Sequence, residues 1–252
     1  MKILALFFLG LIQGLTEFLP VSSSGHIVLF SKLFSVEESL FVSILLHVST
    51  LLSIVVVFHK DIWQMIRHPF SKQTMLLVTA TIPTCIIALV LMPVIKTSFD
   101  GQFLSICFLV SAVFLYISEE LSKRKKVSFM DYKSAVWIGI AQGLAIFPGI
   151  SRSGATISAG LLCGKDKNQT AKFSFLLSVP IILMSLLLEV YEICAKKAAL
   201  NVSLIGIIIA CMTAFLVGIF AIKIMIKLTS KSNLKWFSLY LVVIAIVTLF
   251  VL

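Results

Sequence analysis

The chain has 252 residues, 60% of them hydrophobic, with a formal net charge of +10. A soluble domain is usually about half apolar, so this excess has no single globular core to fill and must be solvated by lipid. The positive balance then reads as loops held against anionic lipid rather than as a nucleic-acid surface. Cys85, Cys107, Cys163, Cys194 and Cys211 lie mostly inside apolar runs with no C-x-x-C pair, which argues for packing residues over a disulfide or zinc framework.

In chain order, Met1-Lys2 followed by an apolar run has the outline of a signal peptide. It lacks a small-x-small cleavage site, and polar residues follow at once, so it is expected to be retained. The segment 3–33 is apolar but broken by Gln13, Glu17, Pro20, Ser22, Ser23, Ser24, Gly25 and His26. Neither half reaches the ~20 residues a spanning helix needs, so the expectation is helix, break, helix: a re-entrant hairpin. Spans are expected at about 40–58, 75–95 and 103–118, with Pro83 kinking or breaking the second. A second broken segment, 134–163, is interrupted by Gln142, Pro148, Gly149, Ser151, Arg152, Ser153 and Gly154, and again reads as a hairpin. Three more spans follow at about 173–191, with Pro180 inside it, 202–222 and 236–252.

Basic residues test this layout. If each hairpin returns to its side of origin, the loops 59–74, 119–133, 164–172 and 223–235 share one side and hold fifteen of the 21 Lys and Arg residues. The opposite loops hold only Lys96, Lys196 and Lys197. That split assigns the first set to the cytoplasm. The run Lys123-Arg124-Lys125-Lys126 is most simply a topology determinant, with headgroup contact second.

The two broken segments align without gaps. Residues 13–25 and 142–154 are identical at seven of thirteen positions. Each is followed by three spans, so the second copy must be inverted relative to the first, and such repeats place their site near the midplane. The expected fold is therefore an all-α polytopic membrane protein with an inverted-topology repeat, six spanning helices and two re-entrant hairpins. It forms one domain, with repeats at about 1–118 and 134–252.

The polar tips carry the candidate chemistry. A guanidinium at membrane depth is costly unless paired or wet. Arg152 sits between Ser151 and Ser153 at an expected helix start, where backbone N–H groups already favour an anion. The plainer reading is an ion pair with Glu17 that locks the copies together. Gln13 and Glu17, four apart, share a helix face, and their oxygens suit a hard divalent cation; alternatively, each bonds only to protein. Ser22, Ser23, Ser24, Gly25 and His26 place hydroxyls beside an imidazole, the minimum set for a side-chain nucleophile and base. Helix capping would equally explain the serines, and an interhelical hydrogen bond would explain His26. Thr156 could extend the Arg152 cradle or simply bond back within its helix. His47, mid-span, reads as packing that could face the same cavity; His59 and His68 read as solvated.

At residues 13–26 and 147–156, supported by 172–180 and by chain length, the sequence closely resembles the undecaprenyl-diphosphate phosphatase family, also called bacitracin-resistance proteins. The resemblance implies hydrolysis of undecaprenyl diphosphate to the monophosphate. That recycles the wall-polymer carrier lipid and blunts bacitracin, which binds the diphosphate. It implies a divalent cation, Mg2+ or Ca2+, on Glu17 and Gln13. It implies Glu17, Ser23, His26 and Arg152 as catalytic residues, with Ser23, His26 or water as the nucleophile. It implies a phosphate site at Arg152 with Ser151 and Ser153; Ser22, Ser24, Gly25, Gly154 and Thr156 are read from the tips themselves as further phosphate-binding candidates. The implied partners are a polyprenyl diphosphate and membrane lipids, with no nucleic acid and a homodimer left open. The implied location is the bacterial inner membrane; the loop charges, not the resemblance, put the site toward the outer side. Two departures stand out: many members have Glu where this chain has Gln13, and Ser-Ser-Thr-Gly-His is here Ser-Ser-Ser-Gly-His. A rival class is a small-anion carrier or lipid-monophosphate flippase, which would need no paired acid and base.

Overall fold

The computed structural model describes residues 3–34, 40–96, 103–196, 203–231 and 233–251. These residues are all-helical: α1 (Ile3–Thr16), α2 (Ser23–Phe34), α3 (Leu40–Val57), α4 (His59–Arg67), α5 (Lys72–Lys96), α6 (Leu104–Ser122), α7 (Tyr132–Leu144), α8 (Arg152–Leu162), α9 (Lys167–Lys196), α10 (Leu204–Lys231) and α11 (Lys235–Val251). Their only β-type pairing is an isolated bridge between Ser128 and Lys165. By length and composition α5, α6, α9 and α10 can each cross a membrane; α3 with α4 makes a fifth if that pair, bent by 82°, is one span. The chain is a multi-pass membrane protein. Large apolar side chains such as Val90, Phe220 and Phe250 stay exposed on the outer helix faces, where lipid replaces water.

The breaks fall where the sequence placed them, between α1 and α2 and between α7 and α8. Neither proline breaks its helix: α5 runs through Pro83 and α9 through Pro180. Several helices overrun the expected spans. The stretch 59–74, expected as a loop, contains α4, and Lys167, Lys172, Lys223 and Lys227 sit on helices. Backbone hydrogen bonding does not stop at the hydrocarbon boundary, and long lysine stems reach the interface from a helix end. Lys2, Lys197 and the side chains of Lys96, Cys194 and Lys196 lie outside the described residues.

Close backbone contacts fix the helix directions. Gly10 and Gly14 of α1 back onto Ala210 and Ala214 of α10, so these two helices run parallel. Gly139 and Gly143 of α7 back onto Ala80 and Ile87 of α5, also parallel. A Cβ at Gly10 or Gly139 would run into the carbonyl of Ala210 or Ala80. Because lipid tails compete for apolar contact, membrane helices associate through such small-residue approaches. Serines tie the antiparallel α6–α11 pair: Ser105 and Ser238 donate across it to the carbonyls of Ala245 and Ala112, both at 2.7 Å.

The four basic loops meet on one face. Lys172 pairs with Asp61 at 2.6 Å, Lys167 with Glu119 at 2.5 Å and Lys165 with Asp131 at 2.6 Å. Lys235 pairs with Glu120, and Thr229 donates to Asn168 at 3.0 Å. From that face α5, α7, α9 and α11 run away; α1, α3, α6, α8 and α10 run toward it. The hairpins α1–α2 and α7–α8 therefore point at each other from opposite faces.

Candidate functional site

The two hairpin tips touch. Ser22 Oγ accepts from the Gly149 amide at 3.2 Å, and Ser153 Oγ donates to the Leu19 carbonyl at 2.9 Å. Each tip is built alike. Ser22 accepts from Gly25 N at 3.3 Å, and Ser151, the N-cap of α8, accepts from Gly154 N at 3.0 Å. Ser22 holds a positive φ of 71°, rare for a side chain with a Cβ, and Gly149 one of 92°. A Cβ at Gly149 would come within 2.7 Å of Cys107. Glycine there lets the second tip press against α6, where Ser111 donates to the Gly149 carbonyl at 3.2 Å and accepts from Ser151 N at 3.0 Å.

Between the tips lies a cavity of about 280 Å³. Glu17 lines it. One carboxylate oxygen accepts from Ser23 Oγ at 2.6 Å and Gln13 Nε2 at 3.1 Å; the other is ion-paired with Arg152. The Glu17 side chain is 4% exposed and that of Arg152 19%, so Arg152 is the more open member of the pair. Such a pair is a costly way to hold two helices together, because desolvation offsets much of the Coulomb attraction. Beyond the tips, the lining comes from Ile27 and Val28 of α2, Ser43 and His47 of α3, and Ile182 and Ser185 of α9. The α3 and α9 positions lie on the halves of their helices remote from the basic face, so the cavity extends toward the opposite face.

The structure gathers Gln13, Glu17, Ser22, Ser23, Ser24, Ser151, Arg152 and Ser153 around this cavity. It does not place the other candidates there. His26 is turned away: Nδ1 meets the Ser22 carbonyl at 2.8 Å, Nε2 meets Tyr240 Oη at 2.7 Å, and Phe108 packs edge-on against the ring. The reason is helical phase. With ~100° per residue, residues 23, 24, 27 and 28 share one side of α2 and residue 26 falls outside it. Thr156 likewise points away, bonding to Ser174 Oγ at 2.6 Å and to the Arg152 carbonyl at 3.0 Å. Gly25 and Gly154 are buried, and their amides are spent on the serine caps. His47, read as packing that could face the same cavity, does line it, with Nδ1 held by the Ser43 carbonyl at 3.0 Å. Ser111 was missed altogether. Both sit mid-helix with no motif around them; a polar residue at membrane depth was the available signal.

No group of three or more His, Cys, Asp or Glu side chains clusters among the described residues. Gln13 Oε1 is nevertheless buried without a partner, one helical turn from Glu17. An orphaned acceptor beside a carboxylate fits a hard cation that brings ligands of its own, as a diphosphate-bound Mg2+ does.

A family model described as bacitracin resistance protein BacA matches residues 6–247. An undecaprenyl-diphosphatase of Carboxydothermus hydrogenoformans is 39% identical over 245 residues, 96% of this chain and 94% of that protein. Undecaprenyl-diphosphatase 3 of Bacillus cereus is 40% identical over 243 residues, covering 95% and 93%. An undecaprenyl-diphosphatase of Methanosphaera stadtmanae is 36% identical over 273 aligned positions, covering 99% and 98%.

Proposed function

The chain belongs to the bacitracin resistance protein BacA family, and on that footing we propose that it hydrolyses undecaprenyl diphosphate to undecaprenyl phosphate and inorganic phosphate. The activity returns the carrier lipid to cell-wall synthesis and removes the diphosphate that bacitracin binds. The observation that carries the reading is the convergence of Arg152 and Ser23 on the Glu17 carboxylate inside the cavity between the tips.

Phosphoryl transfer is mainly a problem of position and charge. Arg152 supplies a planar donor fork for phosphate oxygens, and the first amides of α8 add the positive end of a helix. Ser23 is the nucleophile this geometry favours. Its oxygen attacks the terminal phosphorus while its proton passes to Glu17, and the bridging P–O bond breaks to release the lipid monophosphate. Water then opens the phosphoserine and frees phosphate. Gln13 and Glu17 would hold a divalent cation, Mg2+ or Ca2+, which neutralises charge on the phosphate oxygens when bound. His26 acts as a positioning residue: it ties the backbone at Ser22 to α11.

The wider layout belongs to the same proposal. The chain is read as an inverted-topology repeat of six spans and two re-entrant hairpins in a bacterial inner membrane. The opposed hairpins and the matching α1–α10 and α5–α7 contacts support this. The gathered basic loops support a cytoplasmic assignment for their face, and the cavity then opens outward, where the prenyl tail can remain in lipid. The test is phosphate release by the purified protein in detergent from undecaprenyl diphosphate with Mg2+, beside Glu17→Gln. Turnover in wild type and its loss in the variant support the reading; no release by folded wild type, or full release by Glu17→Gln, overturns it.

A further inference from the structure

A second cleft, of about 460 Å³, opens on the basic face between the first turns of α5 and α9 and the segment 129–130. Its rim holds Lys72, Gln73, Gln169 and Lys172; its floor is Leu76, Met130 and Phe173. The four polar side chains come from two helices that share no motif, and the catalytic reading uses none of them. Lys172 is committed to Asp61 at 2.6 Å. Among the described residues, neither the two amides nor the Lys72 ammonium meets a hydrogen-bond or ion-pair partner. The nearby acids are taken elsewhere: Glu119 by Lys167, Glu120 by Lys123 and Lys235, and Asp131 by Lys165. Both helix starts are already capped, α9 by Asp166 at Gln169 N (2.9 Å) and α5 by Ser71 at Thr74 N (3.4 Å). Any anion here is therefore gripped by side chains, not by free backbone amides.

The apolar floor says what kind of anion. A free phosphate gains nothing from Leu76, Met130 and Phe173; an amphiphile does. Phe129 at the rim is 79% exposed and Phe70, just before α5, is 87% exposed. Beside them α4 turns 82° away from α3, with Trp63 and Ile66 exposed and the Arg67 guanidinium 4.9 Å above the Trp63 ring. A short helix with an aromatic and cationic surface, set across the bundle, is the form of an interfacial helix. Asp61 of α4 is joined to the cleft through Lys172. The cleft thus lies at headgroup depth, with a cationic and amide rim above an apolar floor.

We propose that this cleft binds the phosphodiester headgroup of an anionic phospholipid from the leaflet on the basic face. Lys72 takes the phosphate, the Gln73 and Gln169 amides donate to its oxygens, and an acyl chain lies over Phe173 and Phe129. The site is independent of the hydrolytic reading and needs only the membrane setting. The full-length protein, in nanodiscs of dioleoyl phosphatidylcholine with or without dioleoyl phosphatidylglycerol, tests it by the lipid retained in native mass spectrometry and by thermal shift. The expected result is retention of phosphatidylglycerol over phosphatidylcholine, lowered about five-fold in Lys72→Gln, as loss of one lysine at a membrane surface implies. Gln169→Leu should lower retention without removing a charge. Phosphate release in lipid-free detergent should match wild type in both variants, which also certifies their folding. Equal retention of the two phospholipids, or unchanged retention in Lys72→Gln, overturns the proposal. So does competition in which inorganic phosphate or a polyprenyl monophosphate displaces phosphatidylglycerol at equal concentration, which would make the cleft a site for free anion or product.

Discussion

The two hairpin tips share a scaffold and differ in chemistry. Ser22 and Ser151 occupy matching positions and cap the glycines three residues on; Gln13 and Gln142 match, and each leaves a buried Oε1 without a partner. Where the copies diverge, they become complementary. Glu17 stands opposite Ile146 in the alignment, and Ser23 opposite Arg152. Those two counterparts reach the same carboxylate, Ser23 on one oxygen of Glu17 and Arg152 on the other. Matching positions of the two tips thus meet at one point, where the residues that differ between them set an acid between a hydroxyl and a cation.

The sharpest way to break this comparison is to make the copies alike. Arg152→Ser places in the second tip what the first already has. It should lower phosphate release by about three orders of magnitude or more, the scale at which a transition-state arginine acts in phosphoryl transfer. Removing one partner of a buried pair is also destabilising, so Arg152→Lys is the control. It keeps the charge, loses the planar fork, and should fold while staying at least about tenfold below wild type. Near-normal turnover in Arg152→Ser would mean that the guanidinium serves only to join the tips.

Next in size is a contrast within the first tip. Ser23 and Ser24 both border the cavity, but only Ser23 bonds to Glu17; Ser24 reaches Ser22 at 3.4 Å. Ser23→Ala should cost about a hundredfold or more, the range over which positioned proton-transfer groups act, whereas Ser24→Ala should stay within about threefold. Equal losses would show that the hydroxyls act as a general polar lining. Trapping of a phosphorylated Ser23 in a quenched reaction would separate serine attack from water attack.

A smaller effect concerns the histidine that has no counterpart, since Ala155 occupies the matching place. With both ring nitrogens occupied by Ser22 and Tyr240, His26 should act through position. Tyr240→Phe removes one neutral hydrogen bond of about 1 kcal/mol and should slow turnover roughly five-fold. His26→Asn should act similarly, the double variant should be no worse than the more impaired single, and the pH profile should keep its shape. A lost basic or acidic limb in His26→Asn would restore it as a proton carrier.

How much of this the sequence carried depends on the scale of the pattern. The breaks around Gln13–Gly25 and Gln142–Gly154 were legible because polar residues inside apolar runs are costly at membrane depth. Loop charge was legible because it is a sum over many residues, and the four loops do meet through pairs such as Asp61–Lys172 and Asp131–Lys165. What failed was phase and length. His26 looked like part of the tip in one dimension, but three residues beyond Ser23 on α2 it faces α6 and α11. His47 and Ser111 reach the site only through packing, which no local motif records. Helix ends were misjudged wherever lysines continue a helix past the apolar stretch, as at the start of α9.

The smallest effect separates the two hairpins at their bases, far from the tips. The first closes through aromatic rings, Phe8 to Phe30 at 6.4 Å and Phe30 to Phe34 at 4.7 Å. The second closes through charge. Lys165, just after α8, pairs with Asp131, which caps α7 by accepting from Ser134 N at 2.8 Å. The Lys165 hydrogen bond, with help from the Ser134 amide, lowers the Asp131 carboxyl from 3.8 to about 2. A depressed carboxyl contributes stability that is fully present above the unfolded value and is lost as pH falls through the folded one. The base of the second hairpin should therefore loosen between about pH 4 and pH 2, while the aromatic base of the first does not. Because the Asp131 side chain is 56% exposed, solvent screening keeps the effect small. Asp131→Asn mimics the protonated state at neutral pH, so wild type and variant can be compared at a single pH and intrinsic exchange rate. In hydrogen exchange it should lower protection at the start of α7 and the end of α8 and leave α1 and α2 unchanged. Equal loosening of both hairpins would mean that acid acts on the bundle as a whole, and that the ionic and aromatic closures are interchangeable.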